Sequence, residues 1–334
     1  MLSRCRSFVL PLLLFACAPS PVRAPASTPA YDVSALDHLR ERAAAERSAA
    51  LLVWVDGSLV VDESFGHDPR TPVFAMSVSK SIVALRIGQL VEQGALRLDE
   101  PLSARLLPEW ADTDKASITL EHLLAHTSGL DPRRYHVRDD AAPDLNATIE
   151  GHAATIPLLD PPGTRFAYNN AAVDLLAVVA RRADPHGLPL DDQLQQHLFG
   201  PMDIAAASWL KDGRGDPRAA GELMIRPHDL LALGRLVLDH GRHEGVQLVP
   251  AAWIDRMLAP GPNPGCGLLW WLDRREGDDE VAAYVADGYL GQYVVVIPSR
   301  RAVLVRMRDG NTTSWDPAEF SYPEFRHDAL TAFE

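Results

Sequence analysis

Ser77 and Lys80 stand three residues apart at the head of an apolar segment, Ser77-Val78-Ser79-Lys80. A serine hydroxyl is a weak nucleophile until a neighbouring group removes its proton. On a helix, residues three apart share a face one turn from each other, so this lysine reaches the hydroxyl. Burial disfavours an ammonium and lowers its pKa, which makes the amine a usable base; a guanidinium stays protonated and cannot take that part. The chain contains 29 arginines but only three lysines, at 80, 115 and 211, so a lysine here is conspicuous. A serine at a helix start also lies at the positive end of the helix dipole, which favours an oxyanion. Ser208 and Lys211 repeat the spacing but run into Asp212-Gly213-Arg214-Gly215-Asp216-Pro217, a loop composition, and are read as structural.

A second group is Tyr168-Asn169-Asn170, ahead of a helical stretch. A tyrosine held near an ammonium ionises below its usual pKa and shares proton transfer with the amine. Asn170 offers both a donor and an acceptor to a substrate amide, and an asparagine before a helix also serves as an N-cap. His122 and His126 have a zinc-compatible spacing, but Leu123 follows His122 where a His-Glu-x-x-His site needs glutamate, and no third ligand is evident, so no metal is assigned. There is no Gly-x-Ser-x-Gly elbow and no phosphate-binding glycine loop.

The elements that must carry these residues are readable in outline. Residues 34–47 have helix formers with one polar face. Residues 51–55 and 59–61, joined by Asp56-Gly57, read as a hairpin. Residues 77–93 form a helix apolar on nearly every side (Val78, Ile82, Val83, Leu85, Ile87, Leu90), with Gly94 at its C-terminal cap; such a helix belongs inside the protein. Further helices are expected at 171–182, 227–239 and 251–258, and strands at 268–272, 281–286, 293–297 and 302–307. The two tryptophans on the strand at 268–272, Trp270 and Trp271, read as core and edge rather than a ligand box; one of them facing the cleft would favour an apolar acyl group. Strands at both ends around a helix-rich middle (roughly 99–220) predict an α/β (α+β) chain: an antiparallel β-sheet flanked by helices, with an inserted all-α lobe and a site between the two.

Composition narrows the classes. The 334 residues carry a net charge of −13, against a nucleic-acid surface. Residues 1–16 combine Arg4 and Arg6 with the apolar run from Phe8 to Ala16, too short to span a bilayer, and read as a secretory signal. Leu14-Phe15-Ala16-Cys17 has the form of a bacterial lipoprotein box, with bulky Phe15 the departure; acylation of Cys17 and ordinary cleavage near Ala24 both stand. Prolines 19, 21, 25 and 29 mark residues 17–30 as a tether, leaving 31–334 as the body, with Cys266 its lone thiol. The expected location is the periplasm, free or lipid-anchored.

Phe74-Ala-Met-Ser-Val-Ser-Lys-Ser81, Leu123-Leu-Ala-His-Thr-Ser-Gly-Leu130, Pro162-Gly-Thr-Arg-Phe-Ala-Tyr-Asn-Asn170 and Gly288-Tyr-Leu-Gly-Gln-Tyr293 follow one another in this order. Together they resemble the serine β-lactamase and penicillin-binding-protein superfamily, in its class C β-lactamase, esterase and 6-aminohexanoate-dimer hydrolase branch, over about residues 31–310. The resemblance implies a β-lactamase/transpeptidase-like fold, an acyl-enzyme mechanism on a small ester or amide, and no cofactor. It implies Ser77 as nucleophile, Lys80 and Tyr168 as shared general base, and Asn170 as a positioning residue. The backbone N–H groups of Ser77 and Tyr289 would form the oxyanion hole, with Gly288 beside them on the last active-site strand. Where relatives that bind a carboxylate carry a cation on that strand, this chain has Ala286-Asp287-Gly288, so poor turnover of penicillins is expected. That departure keeps a non-catalytic binding or sensory module of the same fold as the alternative.

Overall fold

The computed structural model describes residues 31–134, 148–274, 280–309 and 322–333. The signal, Cys17 and the 17–30 tether lie outside the described residues.

The first helix, α1 (Val33–Ala45), leads into the hairpin β1 (Ser48–Val55) and β2 (Ser58–Ser64). Its turn residues Asp56 and Gly57 have φ of +41° and +96°, the left-handed pair that a two-residue hairpin turn requires. The C-terminal strands β8 (Trp271–Arg274), β9 (Val281–Gly288), β10 (Gln292–Ile297) and β11 (Ala302–Arg308) complete a six-stranded antiparallel sheet, order β2-β1-β11-β10-β9-β8. Strands β1, β10 and β11 are buried along their whole length. Their apolar runs do not alternate because both faces are covered. α1 and the last helix, α9 (Tyr322–Thr331), pack Leu36, Leu39, Phe325 and Ala329 against one face. The other face takes α2 (Val78–Glu92) and α7 (Pro227–Leu238). α7 reaches the sheet at Gly234, where a Cβ would lie 2.6 Å from Val303 Cγ1.

Between these ends lies the helical lobe: α3 (Leu120–Leu124), α4 (Ile149–Thr155), α5 (Asn170–Ala183) and α6 (Leu190–Leu194). α5 is buried from Ala171 to Ala180 and packs against α2. A small sheet, β3 (Val73–Phe74), β4 (Ser208–Trp209) and β5 (Leu223–Ile225), in the order β3-β5-β4, joins the lobe to the residues before α2. α8 (Ala251–Met257) lies against α2, with Trp253 Nε1 donating to Ala84 O at 3.0 Å.

Two local expectations change. The strand expected at 268–272 begins only at Trp271, because Leu269 is left-handed (φ +62°) and the segment turns onto α2. There Ser81 Oγ donates to Leu269 O at 2.6 Å and Trp270 Nε1 to Ser81 O at 3.2 Å. Ser208 lies in the short strand β4 and Lys211 pairs with Asp191 of α6 at 2.6 Å, so the second Ser-x-x-Lys does not share a helix face. That strand also means the 99–220 region is not wholly helical.

Candidate active site

The turn that presents Ser77 is strained and held. Met76 has φ +49°, a conformation costly for a residue with a side chain, and the Ser79 hydroxyl binds Met76 O at 2.6 Å. Ser77 is the N-cap of α2, yet its side chain makes no capping bond. Its Oγ accepts instead from Lys80 Nζ at 2.8 Å and from the Tyr168 hydroxyl at 2.8 Å. The ammonium also lies 4.9 Å from the centre of the Tyr168 ring.

Lys80 is 2% exposed, and burial pushes its pKa down to about 7, against the pull of Asp174 and Glu222, which favour the charged form. A second hydrogen bond runs from Nζ to Ala220 O. Ala220 ends a loop that α5 pins at two points. Arg181 Nε binds the buried carboxylate of Asp216 at 2.7 Å, and Asp174 Oδ1 accepts from Ala220 N at 2.8 Å.

Tyr168 departs from the expectation of early ionisation. Burial pushes its phenol up to about 12, with the hydrogen bond to Ser77 acting in the other direction and Asp287 adding to the rise. The phenol is therefore a neutral donor in this arrangement, and Lys80 alone has a proton affinity suited to a base near neutral pH.

His126 holds the tyrosine segment in place. It is 2% exposed, has φ +55°, accepts from Asn169 N–H at 3.2 Å through Nδ1, and packs 4.7 Å from the Tyr168 ring and 5.8 Å from Phe166. Burial, with Lys80 nearby, lowers its pKa to about 3, so the ring is neutral. His122 uses Nδ1 to accept from Thr119 N–H at 3.1 Å, closing the cap of α3, so the two histidines serve separate structural bonds.

The cap of α5 is Asn169 rather than Asn170. Asn169 Oδ1 accepts from Ala172 N at 3.1 Å and Nδ2 donates to Leu130 O at 2.9 Å. Asn170 is the first helical residue, half-buried, and its Oδ1 has no hydrogen-bond partner among the described residues; it does not line the cleft at Ser77.

Gly288 closes β9 directly against the nucleophile turn: a Cβ there would lie 2.6 Å from Ala75 O and 3.2 Å from Val78 Cγ2. The Tyr289 side chain is 37% exposed, at the start of the turn into β10. Arg306 braces that turn, donating to Gly291 O at 3.1 Å and to Ser48 Oγ at 2.8 Å.

These groups open on a narrow cleft lined by Ser77, Lys80, His126, Tyr168, Trp271 and Asp287 among others. Lys80 is the only lysine or arginine in that lining among the described residues. Of the two tryptophans, Trp270 is core and Trp271 faces the cleft, its ring stacked 6.2 Å from Tyr168. Sequence reasoning misses Asp174, reads His126 as structural, and reaches Trp271 only as one of a tryptophan pair of which one could face the cleft. Asp174 interrupts an otherwise apolar helix face, which was the one available signal.

Comparison with known proteins follows the same lines. The Beta-lactamase family model matches residues 36–322. Esterase EstB of Burkholderia gladioli is 28% identical over 59% of this chain and 53% of its own length. The 6-aminohexanoate-dimer hydrolase of Paenarthrobacter ureafaciens is 24% identical over 86% of this chain and 82% of its own. The chain spans only about half of EstB and of another curated relative, 53% and 44% of their lengths. Among solved structures, a penicillin-binding protein from Bacillus halodurans superposes with a TM-score of 0.65 at 20% identity, covering 81% of this chain and 95% of that one, which shows a shared fold. The chain belongs to the β-lactamase family, a β-lactamase-fold hydrolase family with esterase and amidase relatives.

Proposed function

We propose that this protein is an exported serine hydrolase that cleaves a small ester or amide through an acyl-Ser77 intermediate. The observation that supports it most is the bridging of one hydroxyl, Ser77 Oγ, by Lys80 and Tyr168 at 2.8 Å each. In this reading the neutral Lys80 amine takes the Ser77 proton as Oγ attacks the scissile carbonyl. The N–H groups of Ser77 and Tyr289 bind the oxyanion, and Gly288 lets β9 come close enough for Tyr289 to do so. The tetrahedral intermediate collapses as the Lys80 ammonium, with the Tyr168 hydroxyl as a relay, returns the proton to the leaving oxygen or nitrogen. Water then attacks the acyl-serine by the same route in reverse order. Asn170, which the resemblance made a positioning residue, has its Oδ1, unpartnered among the described residues, buried away from the cleft and is given no contact with substrate in this reading.

The absence of a cation at Asp287, beside the nucleophile, supports poor turnover of penicillins, whose carboxylate would meet a carboxylate. Export and acylation of Cys17 belong to the same reading; the mass of the mature N-terminus from expressing cells distinguishes an acylated Cys17 from cleavage near Ala24. A fluorophosphonate probe tests the enzyme itself. Labelling of the wild type and loss of labelling in Ser77→Ala is the expected result. A folded wild type that neither labels nor hydrolyses p-nitrophenyl esters is instead a binding module.

A further inference from the structure

We infer that the cleft beside Ser77 selects substrates carrying a cationic group, and that Asp287 with the faces of Tyr168 and Trp271 is what recognises it. The inference rests on the reading of Ser77 as the nucleophile and names the substrate class that reading leaves open.

Strand β8 reaches β9 only as far as the Trp271–Val285 pair, whereas β9 runs on to Gly288. The last residues of β9 therefore have no neighbour on that side and border the cleft. Ala286 is buried in the core against α2, and Asp287 enters the lining shared with Ser77, Lys80, Tyr168 and Trp271. Among the described residues, no hydrogen bond or ion pair engages the Asp287 carboxylate. It is nonetheless desolvated, since burial lifts its pKa to about 6, and it raises the pKa of both Tyr168 and Tyr293. Removing a carboxylate from water without a partner is unfavourable, and a ligand that brings a positive charge recovers that loss.

The walls supply the second half of such a site. The Tyr168 and Trp271 rings, nearly parallel at 17° with centroids 6.2 Å apart, both line the cleft that Asp287 enters, and Lys80 Nζ already lies 4.9 Å from the Tyr168 ring centre. Aromatic faces attract cations through the ring quadrupole, most strongly where water is excluded. Lys80, the only lysine or arginine lining the cleft among the described residues, is held by Ser77 and the Ala220 carbonyl rather than by Asp287. The net charge of −13 also draws cations toward the molecule. The occupant is an ester or amide bearing an ammonium, primary to quaternary, near the scissile carbonyl on either the acyl or the leaving side.

The test compares matched pairs in which carbon replaces the charged nitrogen: acetylcholine against its tert-butyl isostere, and the p-nitrophenyl ester of a trimethylammonio acid against that of the corresponding tert-butyl acid. The expected result is a kcat/KM for the cation roughly tenfold or more above the isostere in at least one pair, with the ratio falling toward one in Asp287→Asn. Ser77-dependent hydrolysis of the neutral esters with ratios at or below one in both pairs overturns the inference and leaves the hydrolase reading intact. If no ester is turned over and Ser77 takes no probe, the hydrolase reading fails. Calorimetric binding of the same pairs to the Ser77→Ala protein then decides the cation question: a preference abolished by Asp287→Asn supports it, and equal affinities overturn it.

Discussion

Asp174 and Ala220, 46 residues apart in sequence, are joined by a 2.8 Å hydrogen bond from the Ala220 amide to the Asp174 carboxylate, and the Ala220 carbonyl in turn accepts from the Lys80 ammonium. One residue, through the two peptide groups that flank its Cα, thus ties a buried acid on α5 to the amine on α2. The same acid acts on that amine through space, favouring its charged form against burial. The protonation state of the base is therefore set partly by a residue that does not line the cleft.

Replacing Asp174 with asparagine keeps an acceptor for the Ala220 amide and removes the charge. Lys80 loses a stabiliser of its ammonium, so its pKa falls further below about 7. A base that works deprotonated gives a rate that rises with pH through its pKa, so the acid limb of kcat/KM moves to lower pH in Asp174→Asn. Ester hydrolysis measured across pH checks the direction; an unchanged or upward-moving limb contradicts it.

Lys80→Arg keeps a positive, hydrogen-bonding side chain but replaces the group that loses its proton with one that does not. The protein is expected to fold and to lose about 10²- to 10⁴-fold in kcat/KM on p-nitrophenyl esters. Circular dichroism beside the assay separates loss of chemistry from loss of structure. Activity at the wild-type level removes Lys80 from the role of base.

Asn169→Ala deletes the cap of α5 and the bond to Leu130 O, next to the tyrosine that touches Ser77. The expected destabilisation is about 1–2 kcal/mol in urea unfolding. A drop in kcat should accompany it, because Tyr168 is positioned by the residue that follows it.

Gly288→Ala places a Cβ 2.6 Å from the backbone oxygen of Ala75, and neither strand nor turn can swing aside as a flexible side chain would. A cost of roughly 1–3 kcal/mol is expected. Displacement of the Ser77 turn should lower activity by up to about 10²-fold. Thermal unfolding and the ester assay report the two effects separately.

Much of this architecture is legible in the residues. The all-round apolar segment after Ser77 is the buried helix α2, the Asp56-Gly57 pair is the hairpin turn, and the three apolar runs at 281–286, 293–297 and 302–307 are inner strands. What stays hidden depends on contacts distant in sequence. Adjacent Asn169 and Asn170 have equal capping chemistry, and only the point at which α5 begins assigns the cap to the first. Leu268 and Leu269 have strand composition, but the demands of Ser81 and Trp270 turn them out of the sheet. Strands of two or three residues, β3 to β5, are too short to show a period. Early ionisation of the Tyr168 phenol beside Lys80 is the sequence expectation; desolvation of its hydroxyl in the cleft and the nearby Asp287 carboxylate decide the opposite, although 37% of the residue stays exposed.

The central claim is that Lys80 is a neutral amine for much of the time at physiological pH. With only three lysines in the chain, a protein labelled with ¹³C at lysine Cε gives three signals, and Lys80→Arg identifies the one that matters. A Lys80 signal titrating at about 7 is the predicted result. A Lys80 signal titrating at about 10.4, the ordinary value of a solvated lysine, would contradict the account.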